Sequence, residues 1–151
     1  MNLQIRPLKM EDVPVLACME EKIFTRPWSE QSFADLLKHD YILCFVAEMD
    51  EILVGCAGLT MLDNEGNIDK VMVREDFRGR GVAYQMLGCL MEEAGKRGIT
   101  EFTLEVRVGN RSAIHLYERL GFVSEGVRPK FYDKPTEDAL IMWRRSKDRL
   151  P

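Results

Sequence analysis

Val71-Met72-Val73-Arg74-Glu75-Asp76-Phe77-Arg78-Gly79-Arg80-Gly81-Val82-Ala83 decides how this chain is read. A β-rich apolar run ends, a short charged turn follows, and a glycine-rich segment opens a long stretch with Ala83, Met86, Leu87, Leu90, Met91 and Ala94 at helical spacing. The pattern predicts a strand, a turn and a helix over residues 78–96, ended by Gly98. A helix that opens this way points unpaired N–H groups and the positive end of its dipole at any anion placed ahead of it. Glycines let a phosphate approach the backbone, and Arg78 and Arg80 add charge and donors. The plainer reading is a solvated charged turn before an amphipathic helix. The pattern alone leaves both open. Residues 69–80 carry four bases against three acids, in a chain whose net charge is −4.

Outward from this stretch, residues 3–8 alternate like a first strand. Asp12 is placed to cap a helix with Pro14 in its first turn, reaching about Ile23 with Val15, Leu16, Met19 and Ile23 as its apolar stripe. Residues 24–28 form a loop. Ser29 is an N-cap, with Trp28 and Phe33 at the two positions of a hydrophobic staple, opening a helix to about Lys38. Residues 41–48 and 52–62 are β-rich and flank Met49-Asp50-Glu51, which predicts a hairpin. Asp63-Asn64-Glu65-Gly66 is the next turn, and residues 67–73 another strand. On the far side, residues 100–106 form a strand and residues 110–120 a helix closed by Gly121. Residues 122–127 and 139–143 are the last strands. The order β-α-α-β-β-β-α-β-α-β-β predicts an α/β (α+β mixed) domain with a mixed sheet covered by helices.

The chain has 151 residues, which fits one domain of about 150 residues spanning 1–151. It is 46% hydrophobic and 30% charged, proportions of an ordinary globular protein. Its acidic balance argues against nucleic-acid binding. No apolar run approaches the roughly 18 residues of a membrane span, and the N-terminus lacks a signal-peptide core, so the expected setting is cytoplasmic. Cys18, Cys44, Cys56 and Cys89 stand alone in apolar stretches, which reads as small buried hydrophobes. With only two histidines, His39 and His115, no metal site or Ser-His-Asp triad is expected.

Which phosphate ligand fits the glycine-rich turn is a narrower question. No G-x-x-x-x-G-K-[ST] string exists. A dinucleotide site would use Gly79-x-Gly81 with Glu105 at the end of the next strand, but Tyr84 stands where its third glycine belongs and the first half is rich in hairpins. On the strand after the helix, Phe102, Leu104 and Val106 share one face, which places Thr103 and Glu105 on the other. A strand glutamate is commonly just solvated. Glu105, however, lies where the strand gives way to the 107–109 loop, near the end of the sheet where ligands gather. Tyr117 sits at core spacing on the next helix, between Ala113 and Leu120, and a buried phenol seeks a partner. His115 points elsewhere and is read as surface.

Three blocks of sequence carry a family resemblance. Arg78-Gly79-Arg80-Gly81-Val82-Ala83 resembles the R/Q-x-x-G-x-G/A pyrophosphate loop of the GNAT acetyltransferases, and Leu104-Glu105-Val106-Arg107, Asn110, Ala113, Leu116-Tyr117-Glu118 and Leu120-Gly121-Phe122 resemble that superfamily's second half. Pro27-Trp28-Ser29-Glu30 with Phe33, and Phe131-Tyr132 with Glu137-Asp138-Ala139-Leu140-Ile141-Met142, look like the ribosomal-protein-alanine N-acetyltransferase branch. The likeness spans nearly the whole chain. It departs from the family at the C-terminal aromatic pair, usually two tyrosines and here Phe131-Tyr132.

The resemblance implies a GNAT-like fold, a central, mostly antiparallel sheet of about seven strands flanked by about four helices. It implies acetyl-CoA as co-substrate, with the backbone of Val71, Met72 and Val73 pairing with its pantetheine arm. Arg78, Gly79, Arg80, Gly81, Val82 and Ala83 would hold its pyrophosphate, and Asn110 would also bind it. Glu105 and Tyr117 match the general base and general acid, and Trp28 and Tyr132 fall in the peptide site. The implied reaction is direct acetyl transfer, in a ternary complex, to the N-terminal α-amine of a protein, an alanine of ribosomal small-subunit protein eighteen. Two alternatives remain: a GNAT enzyme acting on lysine or a small amine, and a non-catalytic acyl-CoA-binding module.

Overall fold

The structure is a computed structural model that describes residues 2–146; the expectation of one domain over 1–151 runs past these at both ends. Its strands are β1 (Leu3–Pro7), β2 (Ile42–Met49), β3 (Ile52–Leu62), β4 (Glu65–Val73), β5 (Glu101–Arg107), β6 (Val123–Tyr132) and β7 (Glu137–Arg144). Its α-helices are α1 (Val13–Ile23), α2 (Glu30–Asp35), α3 (Val82–Lys96) and α4 (Arg111–Arg119). The strands form one sheet in the order β1-β2-β3-β4-β5-β7-β6. All pairs are antiparallel except β4 with β5.

Alternation sorts side chains to the two faces. Along β2, Leu43 and Ala47 join the core beneath α3, while Cys44 and Val46 join the core beneath α1 and α2. Met86, Leu87, Leu90 and Ala94 fill the first core; Leu16 and Phe33, both fully buried, anchor the second. Ser29 caps α2 by accepting from the Ser32 N–H at 3.1 Å, and the Trp28 and Phe33 rings lie 5.3 Å apart as a staple should.

Several local expectations are corrected. Asp12 does not cap α1 with its side chain; its carboxylate takes two hydrogen bonds of 2.8 Å from Arg6 and one from the Lys9 N–H. A charged bidentate partner outcompetes a helix end. Val15 is 49% exposed, because the buried stripe of α1 runs through Val13, Leu16, Met19 and Glu20 instead. Residues 78–81 are not helical: Glu75–Phe77 makes one 3-10 turn, and α3 begins only after Gly81, whose φ of +78° breaks the helix. Cys18 and Cys89 are exposed, leaving only Cys44 and Cys56 buried. The β3–β4 turn is only Asp63-Asn64, and β6 and β7 extend beyond the sequence reading to Tyr132 and back to Glu137.

Two irregularities of β4 shape the middle of the sheet. Gly58 and Leu59 of β3 face Lys70 and Ile68, so Asp69 is an extra residue, a bulge. It shifts the phase of the alternation, sending Lys70 and Met72 to the α1 face while Val71 and Val73 stay on the α3 face. In addition, β4 pairs with β5 only through Glu65, Gly66 and Asn67. Beyond Asn67 the two strands diverge.

Candidate active site

The divergence opens a cleft of about 530 Å³ between Asn67–Val71 on one side and Leu104–Arg107 on the other. Its mouth is walled by Phe24, Thr25 and Arg26 and by Phe131, Tyr132 and Asp133 of the β6–β7 hairpin. A second cleft of about 490 Å³ continues along β4 beyond the first, past Val71, Met72 and Val73, to the start of α3. Phe24, Val71, Asn110, Ala113 and Tyr117 line both. The two spaces meet at Tyr117.

Within the first cleft, Glu105 faces the opening while Leu104 and Val106 face the core, as alternation requires. Arg128 of β6 approaches its Oε2 at 4.0 Å. Tyr117 is 7% exposed, its ring 6.0 Å from Phe122, and burial pushes its phenol up to about 12, with Tyr132 adding to the effect. Tyr132 is held above its ordinary value by burial first and the Glu105 charge second, against the pull of Arg107. Both phenols therefore keep their protons at neutral pH. Asp69, at the edge of the cleft, is raised by partial desolvation although Thr60 donates to it at 2.8 Å.

The second cleft suits an extended, phosphate-bearing ligand. Gly79 and Gly81 both have positive φ, and a Cβ on either would meet nothing closer than 3.9 Å, so the loop presents bare backbone. Gly81 is the N-cap of α3 and brings no side chain to its first turn, leaving the N–H groups of Val82, Ala83 and Tyr84 available at the cleft. Arg78 also lines it, its Nε donating to the Val73 carbonyl at 3.3 Å. Past Asn67, the β5-facing edge of β4 lacks a strand partner and can take an amide-bearing arm as a strand would be taken.

Three sequence-selected residues lie differently from expectation. Trp28 does not line the first cleft: its ring packs on Phe33 and under the Lys70 ammonium, behind the wall. Arg80 does not line the second cleft; its guanidinium lies over the Phe77 ring at 5.1 Å. Asn110 lines both spaces, yet its side chain caps α4, accepting from the Ala113 N–H at 3.3 Å. Sequence reasoning missed Arg107, whose guanidinium donates to the carbonyls of Pro135 and Asp133 and to Glu137 while covering the Tyr132 ring at 4.5 Å. It fastens the hairpin tip to β5. Its only signal in the sequence was a strand-end arginine beside Glu105. Among the described residues, no cluster of histidine, cysteine and carboxylate side chains could hold a metal, and no helix is long and apolar enough to cross a membrane.

This arrangement has counterparts. The family model of the acetyltransferase (GNAT) family matches residues 13–122. The [ribosomal protein bS18]-alanine N-acetyltransferase of Escherichia coli K12 is 32% identical over 142 residues, covering 91% of this chain and 94% of that protein. The crystal structure of the ribosomal-protein-S18-alanine N-acetyltransferase from Escherichia coli superposes with a TM-score of 0.87 at 29% identity, covering 99% of both chains. A structure of the NatC complex bound to Gag peptide and CoA shares the fold, with a TM-score of 0.82 at 20% identity over 96% of this chain and 99% of that one. The splayed seven-stranded sheet, its two joined clefts and these relatives agree: the chain belongs to the GNAT acetyltransferase family and is an acetyl-CoA-dependent N-acetyltransferase.

Proposed function

We propose that this enzyme acetylates the N-terminal α-amine of a protein, with an alanine-first ribosomal protein bS18 as substrate, by direct attack within a ternary complex in the cytoplasm. The observation that carries the reading is the meeting of the two clefts at Tyr117, with Glu105 on the acceptor side. Acetyl-CoA lies in the second cleft, its pantetheine arm along the Val71–Val73 backbone and its pyrophosphate over Gly79–Ala83 with Arg78. Arg80 contributes charge from beside that loop, and Asn110 acts through the α4 end it caps. Glu105, directly or through a water, takes the proton from the amine. The nitrogen then bonds to the acetyl carbon while donors near Val73 hold the oxyanion. As the C–S bond breaks, the Tyr117 phenol protonates the departing thiolate, and the nitrogen's remaining extra proton passes back to the phenolate, leaving a neutral amide and a free thiol.

The nature of the amine follows from proton chemistry. An α-amino group with a pKa of about 7.7–8.0 is roughly a tenth neutral at pH 7, whereas lysine near 10.4 is almost wholly charged. One carboxylate suffices for the first. The mouth between residues 24–26 and 131–133 suits an extended terminus, with Tyr132 offering a hydrogen bond to its backbone. Trp28 supports that wall from behind rather than touching the peptide. The relatives named for bS18 point to the same acceptor. A peptide beginning with alanine, incubated with acetyl-CoA, should be acetylated at its terminus with release of free thiol, and blocking that terminus should abolish the reaction. Acetylation of an internal lysine in the blocked peptide would favour a lysine or small-amine enzyme; no thiol release with any amine would favour a binding module.

A further inference from the structure

Lys70 is the one lysine whose ammonium is buried in the described fold beside the acceptor cleft, and the Asp69 bulge is what turns it inward. Its Nζ lies 2.6 Å from Glu20 Oε1 of α1, with the two side chains 7% and 1% exposed. The same ammonium sits over the Phe24 ring at 4.6 Å and the Trp28 ring at 4.2 Å. One charge thus ties β4 to α1 and to both ends of the 24–28 loop, whose Phe24, Thr25 and Arg26 wall the cleft.

As a source of stability this pair is poorly built. Two desolvated charges in a core are commonly matched or exceeded by apolar side chains of equal volume. Moreover, Glu20 Oε2 is buried with no hydrogen-bond partner among the described residues. What the pair does supply is geometry. The loop's other ties, Thr25 Oγ1 donating to the Lys134 carbonyl at 3.3 Å and Arg26 to Asp133 at 2.9 Å, are exposed and hold weakly. The Lys70 ammonium, by contrast, is buried, and a cation–π contact strengthens as its cation is desolvated.

We infer that the Lys70–Glu20 pair is a positioning latch that sets the 24–28 loop as the wall against which the acceptor terminus lies, and so governs acceptor affinity more than acetyl-CoA binding, since of this loop only Phe24 also lines the second cleft. The inference rests on reading the splayed cleft as the acceptor site. Lys70 acts through Phe24 and the loop; it is a positioning residue, not a catalytic one.

The test compares K70M, K70R and the E20Q/K70M double variant, the last leaving no unpaired buried ion should K70M fail to fold. Amide hydrogen exchange in residues 24–28 should rise about tenfold in the double variant while α3 and β5 stay protected. The KM for an alanine-first peptide should rise about tenfold, as a displaced wall would cause, with the KM for acetyl-CoA within about twofold. K70R, which keeps the charge and the ring contacts, should restore both. Unchanged exchange in the double variant, or peptide and acetyl-CoA KM rising together, would overturn the latch. The exchange measurement needs no acceptor: a wild type that ignores the peptide refutes the acceptor reading, while loop exchange still decides the latch.

Discussion

Replacing Tyr117 with Phe removes one oxygen atom and leaves everything that folds the protein. The ring stays 7% exposed against Phe122, and among the described residues it packs by ring contact, with no hydrogen bond that the lost oxygen would break. Stability should therefore shift by no more than about 0.5 kcal/mol, the range of a substitution that breaks no contact. Chemistry should respond differently. Loss of a positioned general acid costs about 10²–10⁴-fold in rate. At 1.36 kcal/mol per factor of ten, that is about 2.7–5.4 kcal/mol of transition-state stabilisation. The ratio of the two effects is the diagnostic. Steady-state thiol release gives kcat, and thermal melting gives the stability change on the same preparations. Because burial holds this phenol at about 12, the wild type should show no alkaline loss from Tyr117 between pH 7 and 9. An acetyl thioester whose thiol is far more acidic than CoA needs no proton on leaving, so with it the Tyr117→Phe defect should shrink towards wild type. A variant that turns over acetyl-CoA at the wild-type rate, or whose defect ignores the leaving group, would refute Tyr117 as the proton donor.

Glu105→Gln should lower turnover by about 10²–10⁴-fold at neutral pH, with the CoA dissociation constant unchanged in calorimetry and partial recovery at high pH as the amine deprotonates itself. Arg78→Ala should raise the CoA dissociation constant and flatten its salt dependence, and Arg80→Ala should change it less, since of these two only Arg78 lines the second cleft; equal single effects would misplace the pyrophosphate. Asp12, held below its unfolded value of 3.8 chiefly by the Arg6 hydrogen bonds, stabilises the fold above that pH and loses its contribution as pH falls through its folded value. Asp12→Asn should therefore cost about 1–3 kcal/mol in urea denaturation at pH 7, and the gap to wild type should close in acid.

Much of this architecture was legible because local chemistry and tertiary demand agreed. Ser29, Trp28 and Phe33 spell a capped, stapled helix, and the structure makes one. Phe102, Leu104 and Val106 spell a face, and all three are buried. What escaped was non-local. Nothing in Asn67-Ile68-Asp69-Lys70 announces which residue will be the bulge, because a bulge is a property of two strands. Yet that one residue decides whether Lys70 meets Glu20 or the opposite face. The family resemblance puts Trp28 in the peptide site, but a lysine fifty residues after Glu20 claims its ring from behind. Arg107 could not be seen as a clamp before the carbonyls of Asp133 and Pro135 were folded onto it.

The three-residue contact between β4 and β5 also has a mechanical meaning. Strands β1–β4 and strands β5–β7 form two leaves, and across the sheet only that short seam joins them. Anything lodged in the gap spans both leaves and behaves as a rivet. By mass action, a donor present at a hundred times its dissociation constant adds about 2.7 kcal/mol to the folded state. Laid along an unsatisfied strand edge, that energy falls on the seam itself. The enzyme should be a more brittle object between turnovers than during them, its halves breathing when CoA departs and stiffening when the next acetyl-CoA slides in. Product release and mechanical relaxation would then be one event.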